Sequence, residues 1–167
     1  MITPPVDVEG DLECDLGPAV QFPPPLPFAV GFALGALMER LLPLRARLFA
    51  LPQSPIGGVL LIAAGAALVV TGMLTFRRHH TAIYPNRPAS NVVTSGVYAY
   101  TRNPMYLGLS IAYLGGVLAT GIWWSLLFLP LVLLLTVLLV ISREEAHLHE
   151  RFPDEFGAYR ARVRRWL

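Results

Sequence analysis

The chain has 167 residues, of which 54% are hydrophobic and only 14% are charged, and its formal net charge is +2 at pH 7. A soluble domain of this size exposes much of its surface and needs more charges, so the composition excludes an ordinary soluble enzyme and a disordered chain. The single cysteine excludes an internal disulfide and a cysteine-based zinc site, and the small net charge gives no reason to expect a nucleic-acid partner.

Residues 1–25 form the first predicted region, an acidic tail that ends in prolines. Its first 21 residues carry five acidic side chains and no basic one. The prolines at 23, 24 and 25 then disfavour helical hydrogen bonding. We expect this tail to be solvated.

Residues 26–76 contain two predicted membrane helices. The first covers residues 26–42 and carries Gly31 and Gly35, a spacing of small residues that lets another helix approach closely. The second covers residues 56–76, and its roughly 21 uncharged residues suffice to cross about 30 Å of hydrocarbon. Glycines recur on it at every seventh position and indicate a packing face: Gly58, Gly65 and Gly72.

Residues 105–141 form one long apolar region without a charge. A single α-helix of that length would extend about 55 Å, far more than a bilayer needs. The region must therefore fold back, and Thr120 with Gly121 is the natural turn. We expect a tight hairpin of two short spans, residues 106–119 and 122–141.

Three further features of this hairpin follow from its residue types. Trp123 and Trp124 favour a membrane–water interface. Pro130 should kink the second arm. Small residues are expected to line one face of the first arm: Gly108, Ala112 and Gly116.

Four spans would place both chain ends on one side of the membrane. Two arginine-bearing regions, residues 77–103 and 143–167, then share a side, whereas the other side carries Arg45 and Arg47 and an uncharged turn. The positive-inside rule puts the arginine-rich side, with both termini, in the cytoplasm. The sequence predicts an all-α, multi-pass protein of a bacterial-type inner membrane or an ER-like membrane.

Residues 143–167 are predicted to form a cytoplasmic amphipathic helix. Apolar residues recur there at three- and four-residue steps: Leu148, Phe152, Phe156, Tyr159, Val163 and Trp166. Pro153, followed by Asp154 and Glu155, is typical of a helix restart. The arginines beyond it suit the helix dipole and anionic lipid.

The two ends of the hairpin carry polar residues that should meet on the cytoplasmic face. Arg102, Asn103 and Tyr106 stand where the first arm begins, and Glu144 and Glu145 where the second arm ends. Carboxylates near hydrocarbon are costly unless they are paired or solvated. We expect a half-buried crevice, although a plain helix N-cap at 103 and a water-exposed acidic helix end explain the same residues without a ligand.

The four histidines do not predict a metal site. His79 and His80 are adjacent and point apart on a helix, and His147 and His149 lack the spacing that places two ligands on one helix face. We expect these histidines to lie at the membrane–water interface instead.

Two segments resemble the isoprenylcysteine carboxyl methyltransferase family. Residues 92–108 read V-V-T-S-G-V-Y-A-Y-T-R-N-P-M-Y-L-G, and the family's signature is roughly L-V-T-S-G-x-Y-x-x-x-R-H-P-x-Y-x-G. Glu144 and Glu145, with the apolar residues after them, resemble its C-terminal motif E-E-x-x-L-x-x-x-F-G-x-E-Y-x-x-Y. The likeness covers residues 77–167, and the same architecture occurs in phospholipid N-methyltransferases.

The resemblance implies S-adenosylmethionine as cofactor and a lipid-like or prenylated acceptor, taken from the bilayer and methylated on a carboxylate or an amine. It implies these cofactor-lining residues: Ser90, Asn91, Val92, Val93, Tyr98, Asn103, Pro104, Met105, Tyr106 and Glu144. Arg102 would balance the cofactor's carboxylate or brace the loop. An amine acceptor would need a base, for which Glu145 and Tyr98 are the candidates.

The sequence departs from the family pattern at three places. Asn103 stands where carboxyl-methylating members have His, Pro153 where many have Gly, and Val140 where the eukaryotic enzymes have an Arg associated with the acceptor. The cofactor half of the pattern is therefore better preserved than the acceptor half. Two alternatives remain: a small non-enzymatic membrane scaffold or transport subunit, and a sterol-reductase-like enzyme that binds a nicotinamide cofactor.

Overall fold

The computed structural model describes residues 23–43, 53–79 and 91–167, and all regular structure within these ranges is helical. The elements are α1 (Leu26–Leu41), α2 (Pro55–Arg78), a 3-10 turn (Gly96–Ala99), α3 (Pro104–Thr120), α4 (Trp123–Thr136), a π-helical segment (Val137–Ile141), α5 (Ser142–Arg151) and α6 (Pro153–Arg162). The all-helical class is thus confirmed for this part of the chain. The predictions for the acidic tail before residue 23 and for Arg45, Arg47, His80 and Ser90 lie outside the described residues.

Two of the described helices are long and apolar enough to cross a membrane, judged by length and composition. They are Pro55–Arg78, with 24 residues, and Trp123–Arg151, a continuous helical run of 29 residues. Pro104–Thr120 is apolar but shorter, and Leu26–Leu41 has only 16 residues. Large apolar side chains on these helices are exposed, as lipid-facing residues would be: Val59, Leu60, Leu127, Leu131, Leu134 and Leu138.

Helix starts and stops follow local chemistry. Ser54 caps α2, since its Oγ accepts a hydrogen bond from the Gly57 amide at 3.1 Å, and Pro55 occupies the first helical position. Helix α3 ends at Thr120 and is capped by Gly121, whose φ of 72° is the left-handed conformation that glycine adopts without strain. The break between α3 and α4 therefore falls where the sequence indicated a turn.

Glycines bring α2 and α3 into backbone contact along an antiparallel pair. A Cβ atom on Gly65 would collide with the backbone at Gly108 and Ala112, and one on Gly58 would meet Gly115 and Ala119. The seven-residue step from Gly58 to Gly65 on α2 thus matches the seven-residue step from Gly108 to Gly115 on α3. The prediction that Gly116 lies on the same packing face as Gly108 and Ala112 was wrong. Gly116 contacts Phe32 of α1, and Gly115 is the residue that faces α2.

Helix α1 packs on α4 in the same manner. A Cβ atom on Gly35 would collide with Ser125, and one on Gly31 with Val132. The Tyr113 hydroxyl of α3 donates to the Ser125 carbonyl at 2.8 Å, which ties the two helix pairs together in the core. Trp123 is buried in that core with 5% exposure.

The helix that starts at Trp123 continues through Pro130 and widens to a π-helix at Val137–Ile141. Pro153 then begins α6, with Asp154 and Glu155 in its first turn, as the sequence indicated. The prediction of a helix to the last residue was wrong, because α6 ends at Arg162 and Val163 is already extended. The residues after it return to the start of α3.

Candidate functional site

Tyr106 and Glu144 form the centre of the site. The Tyr106 hydroxyl donates to Glu144 Oε1 at 2.9 Å, although 38 residues separate the two. Tyr106 is 3% exposed, and Glu144 is partly buried. A carboxylate in such surroundings needs hydrogen-bond donors, and the tyrosine supplies one.

Local structure brings these two side chains together. Pro104 occupies the first turn of α3, so Tyr106 lies in that turn. Glu144 follows the π-helical segment by three residues. A π-helical turn changes the face on which later residues lie, and such turns are frequent at functional sites. The segment is firmly packed, since Val140 and Ile141 are 1% and 0% exposed.

Tyr98 lies beside this pair in the 3-10 turn that precedes α3. Its ring stacks on Phe76 at the end of α2, with 4.8 Å between ring centroids. Its hydroxyl is buried and has no hydrogen-bond partner among the described residues. Burial, with the Glu144 carboxylate nearby, raises the pKa of Tyr98 well above its usual value. The hydroxyl therefore stays protonated and is available as a donor.

Glu145 points away from Glu144 into an ion-pair cluster. Arg165 approaches it with two nitrogens, Nη2 at 2.6 Å from Oε2 and Nε at 3.2 Å from Oε1. Arg102 Nη1 lies 3.2 Å from Glu145 Oε1. The Glu145 side chain is only 13% exposed, so two guanidinium groups balance one shielded carboxylate. The hydrogen bond to Glu145 raises the pKa of Arg165.

Backbone carbonyls beyond α6 hold the residues that precede α3. The Arg164 carbonyl accepts from the Arg102 amide at 3.0 Å, and the Arg165 carbonyl accepts from Thr101 Oγ1 at 3.1 Å and Asn103 Nδ2 at 3.0 Å. The plain N-cap interpretation of Asn103 was wrong, because its side chain makes no capping bond to α3. Its amide faces the last residues of the chain.

The other residues that were predicted to line the cofactor differ in burial. Val93 is buried and Val92 half-buried, whereas Asn91 is exposed. Pro104 is buried, and Met105 packs towards Gly72 of α2. The Met105 contact lies at the α2–α3 seam, and none of these observations tests a role in cofactor binding.

Three residues of the site were missed by sequence reasoning. Arg165 belonged to an arginine cluster that the helix dipole and lipid explained, and Thr101 carried no motif signal. Tyr159 was assigned to an apolar stripe, yet its hydroxyl donates to the Tyr98 carbonyl at 2.8 Å. Burial raises the pKa of Tyr159 to about 12. A polar atom on an otherwise apolar helix face was the one available signal.

The arrangement can bind a polar, cationic or hydroxyl-rich ligand. Within residues 23–43, 53–79 and 91–167, no three histidine, cysteine or acidic side chains are grouped so that they could hold a metal ion. Glu144 can accept hydrogen bonds from hydroxyl or ammonium groups, and Tyr98 can donate one. The stacked rings of Phe76 and Tyr98 add an apolar wall.

A family model described as phospholipid methyltransferase matches residues 54–155, which include α2, α3 and the Glu144 region. The protein-S-isoprenylcysteine O-methyltransferase of Schizosaccharomyces pombe is 40% identical over 72 residues, 43% of this chain and 30% of that protein. The chain thus spans about a third of that relative's length.

An uncharacterized protein of Haemophilus influenzae is 38% identical over 65 residues, which are 38% of this chain and 100% of that protein. No solved structure matches the chain.

Proposed function

The chain belongs to the phospholipid methyltransferase family, and we propose that it transfers a methyl group from S-adenosylmethionine to a lipid-like or prenylated acceptor within the membrane. The observation that carries the proposal is the hydrogen bond between Tyr106 and Glu144 beside the buried Tyr98 hydroxyl, which has no hydrogen-bond partner among the described residues. A buried hydroxyl without a partner is costly, and a ligand atom would satisfy it.

The residues present suit this cofactor. S-adenosylmethionine carries an ammonium group and ribose hydroxyls, for which Glu144 is an acceptor and Tyr98 a donor. Its adenine ring suits the apolar and aromatic wall near Phe76. We propose that Asn103, Pro104, Met105 and residues 90–93 complete the lining, and that the Arg102 guanidinium balances the cofactor's carboxylate.

The cofactor supplies an activated methyl group on a sulfonium, so the protein's task is to position the reactants and exclude water. Tyr106 orients the Glu144 carboxylate, and Glu144 in turn orients the cofactor. The two guanidinium groups at Glu145 favour a structural role for that carboxylate over a role as base. The raised pKa of Tyr98 likewise keeps its hydroxyl protonated, so that it serves as a hydrogen-bond donor and not as a base.

The proposed setting is a four-span protein with both termini in the cytoplasm. Helices α1 and α3 would cross as short spans beside the two longer ones. The site would then lie at the cytoplasmic ends of α2, α3 and α4, where a soluble cofactor enters from water and the acceptor enters from lipid. Residues 77–167 would form the methyltransferase region. The methyl group would be transferred to an oxygen or a nitrogen atom of the acceptor.

The test is methyl transfer by the purified protein in bilayer vesicles. Cofactor with a radiolabelled methyl group is supplied together with either a total lipid extract or a prenylcysteine analogue. We expect label in the organic phase with at least one acceptor, and no label with Glu144→Ala. Equal background label for the wild-type protein and the variant, with both acceptors, would contradict the proposal.

A further inference from the structure

We infer that the last five residues, Val163–Leu167, act as a latch that sets the geometry of the cofactor site, and that Arg165 is its positioning residue. This inference rests on the proposed function, since it concerns the same site. It adds a requirement that the matched motifs do not contain, because the latch lies after residue 155, where the family match ends.

Backbone contacts join the latch to the start of α3. Two successive latch carbonyls, those of Arg164 and Arg165, accept three hydrogen bonds of 3.0 to 3.1 Å. The donors belong to three consecutive residues, 101 to 103, which lie immediately before the turn that carries Tyr106. Because backbone carbonyls accept these bonds, the position of the latch main chain fixes this loop.

The side chain of Arg165 joins the latch to the other half of the site. It makes two hydrogen bonds to Glu145, which is adjacent in sequence to Glu144. Arg165 therefore contacts both segments that supply the central pair, through its carbonyl on the Tyr106 side and through its guanidinium on the Glu144 side. No other described latch residue makes contacts of both kinds.

Burial shows that the latch is held in place on the protein. Trp166 packs against the buried cluster that includes Tyr106 and Ile141. Thr101 and Asn103, which bond to the latch, are 3% and 7% exposed. A latch with an anchored side chain and buried partners has one preferred position, as positioning of a ligand site requires.

The experiment compares cofactor affinity in three variants of the full chain, purified in detergent. Arg165→Ala removes the guanidinium that holds Glu145, and Arg165→Gln keeps a polar side chain without the charge. Arg162→Ala is the matched control, because it removes the same charge from an exposed position at the end of α6. Calorimetry measures the dissociation constant of S-adenosylmethionine, and amide hydrogen exchange follows residues 101–103 with and without cofactor.

We expect Arg165→Ala to weaken cofactor binding about tenfold, with a smaller loss in Arg165→Gln and no change in Arg162→Ala. Coupling is reciprocal, so cofactor should slow amide exchange at residues 101–103 in the wild-type protein and less so in Arg165→Ala. A merely structural latch would lower the melting temperature and leave the affinity of the folded protein unchanged.

Two results would overturn the inference while the proposed function stands: wild-type affinity in Arg165→Ala, or an equal loss in Arg162→Ala. If Arg165→Ala does not fold, the comparison is made with Arg165→Gln. Wild-type affinity for S-adenosylmethionine in Arg165→Gln would then overturn the latch inference. A wild-type protein that binds no cofactor at millimolar concentration would instead overturn the proposed function, and the latch inference with it.

Discussion

The Tyr106 hydroxyl lies 2.9 Å from Glu144 Oε1 and connects the first turn of α3 with the helix that follows the π-helical segment. This bond defines the relative position of the two helix ends at which the polar residues gather. A ligand bound there would contact a carboxylate that is oriented by a hydrogen bond from a neighbouring helix.

Tyr106→Phe tests this bond directly. The change removes one hydroxyl and keeps the buried ring, so the fold should lose about 1–2 kcal/mol of stability. Because Glu144 then loses its orienting donor, we expect about tenfold weaker binding of S-adenosylmethionine, measured by calorimetry on the purified protein.

Tyr113→Phe is the matched control for that variant. Its hydroxyl donates to the Ser125 carbonyl at 2.8 Å within the core between α3 and α4. Its removal should cost about 1 kcal/mol of stability and leave cofactor affinity unchanged. Equal affinity losses in the two variants would show that Tyr106 acts only through general packing.

Tyr98→Phe separates ligand binding from stability. The Tyr98 hydroxyl has no hydrogen-bond partner within the described part of the chain, and the ring keeps its stack on Phe76 after the change. The melting temperature should therefore stay the same or rise, since a buried unsatisfied hydroxyl contributes no stability. Cofactor affinity should fall about fivefold, as expected for one lost hydrogen bond; unchanged affinity would mean that this hydroxyl does not meet the cofactor.

Glu145→Gln tests whether the ion-pair cluster is structural or catalytic. The change leaves Arg102 and Arg165 facing each other without their shared carboxylate, so stability should fall by about 3 kcal/mol. If Glu145 is no base, the pH dependence of methyl transfer should keep its wild-type shape although the amount of folded protein falls. A rate that loses its pH dependence would instead assign a proton-transfer role to Glu145.

Gly65→Val tests the close packing of α2 on α3. The added side chain would collide with the backbone at Gly108 and Ala112, so the helices must separate at a cost of about 1–3 kcal/mol. Ala66→Val places a similar side chain on the exposed face of the same helix and serves as control. We expect a lower melting temperature, measured by light scattering or intrinsic fluorescence, for the glycine variant alone.

The sequence was sufficient to predict those parts of the fold that depend on local chemistry. The break at Gly121, the proline at the start of α6 and the glycine spacing on α2 all match the structure, because each depends on short-range backbone chemistry or helical period. The expectation that Tyr106 and Glu144 meet is also confirmed by the hydrogen bond between them.

The latch could not be predicted from the sequence. Apolar periodicity alone predicted a helix over residues 143–167, whereas in the structure the last helix ends at Arg162. Beyond it, Arg165 bonds to Glu145, Thr101 and Asn103. The bonds to Thr101 and Asn103 span more than 60 residues of sequence and those to Glu145 span 20, and no local pattern reports on either set. The same holds for the bond between Tyr159 and the Tyr98 carbonyl, which tertiary packing alone determines.

The most direct test of the account is titration of S-adenosylmethionine into detergent-purified wild-type protein and into Glu144→Gln. The variant keeps the shape of the side chain and an amide oxygen that can still accept the Tyr106 hydrogen bond, but it removes the negative charge. We expect saturable submillimolar binding to the wild-type protein and at least about tenfold weaker binding to Glu144→Gln, a difference of about 1.4 kcal/mol. Equal affinity of both proteins, or no binding to either at millimolar cofactor, would contradict it.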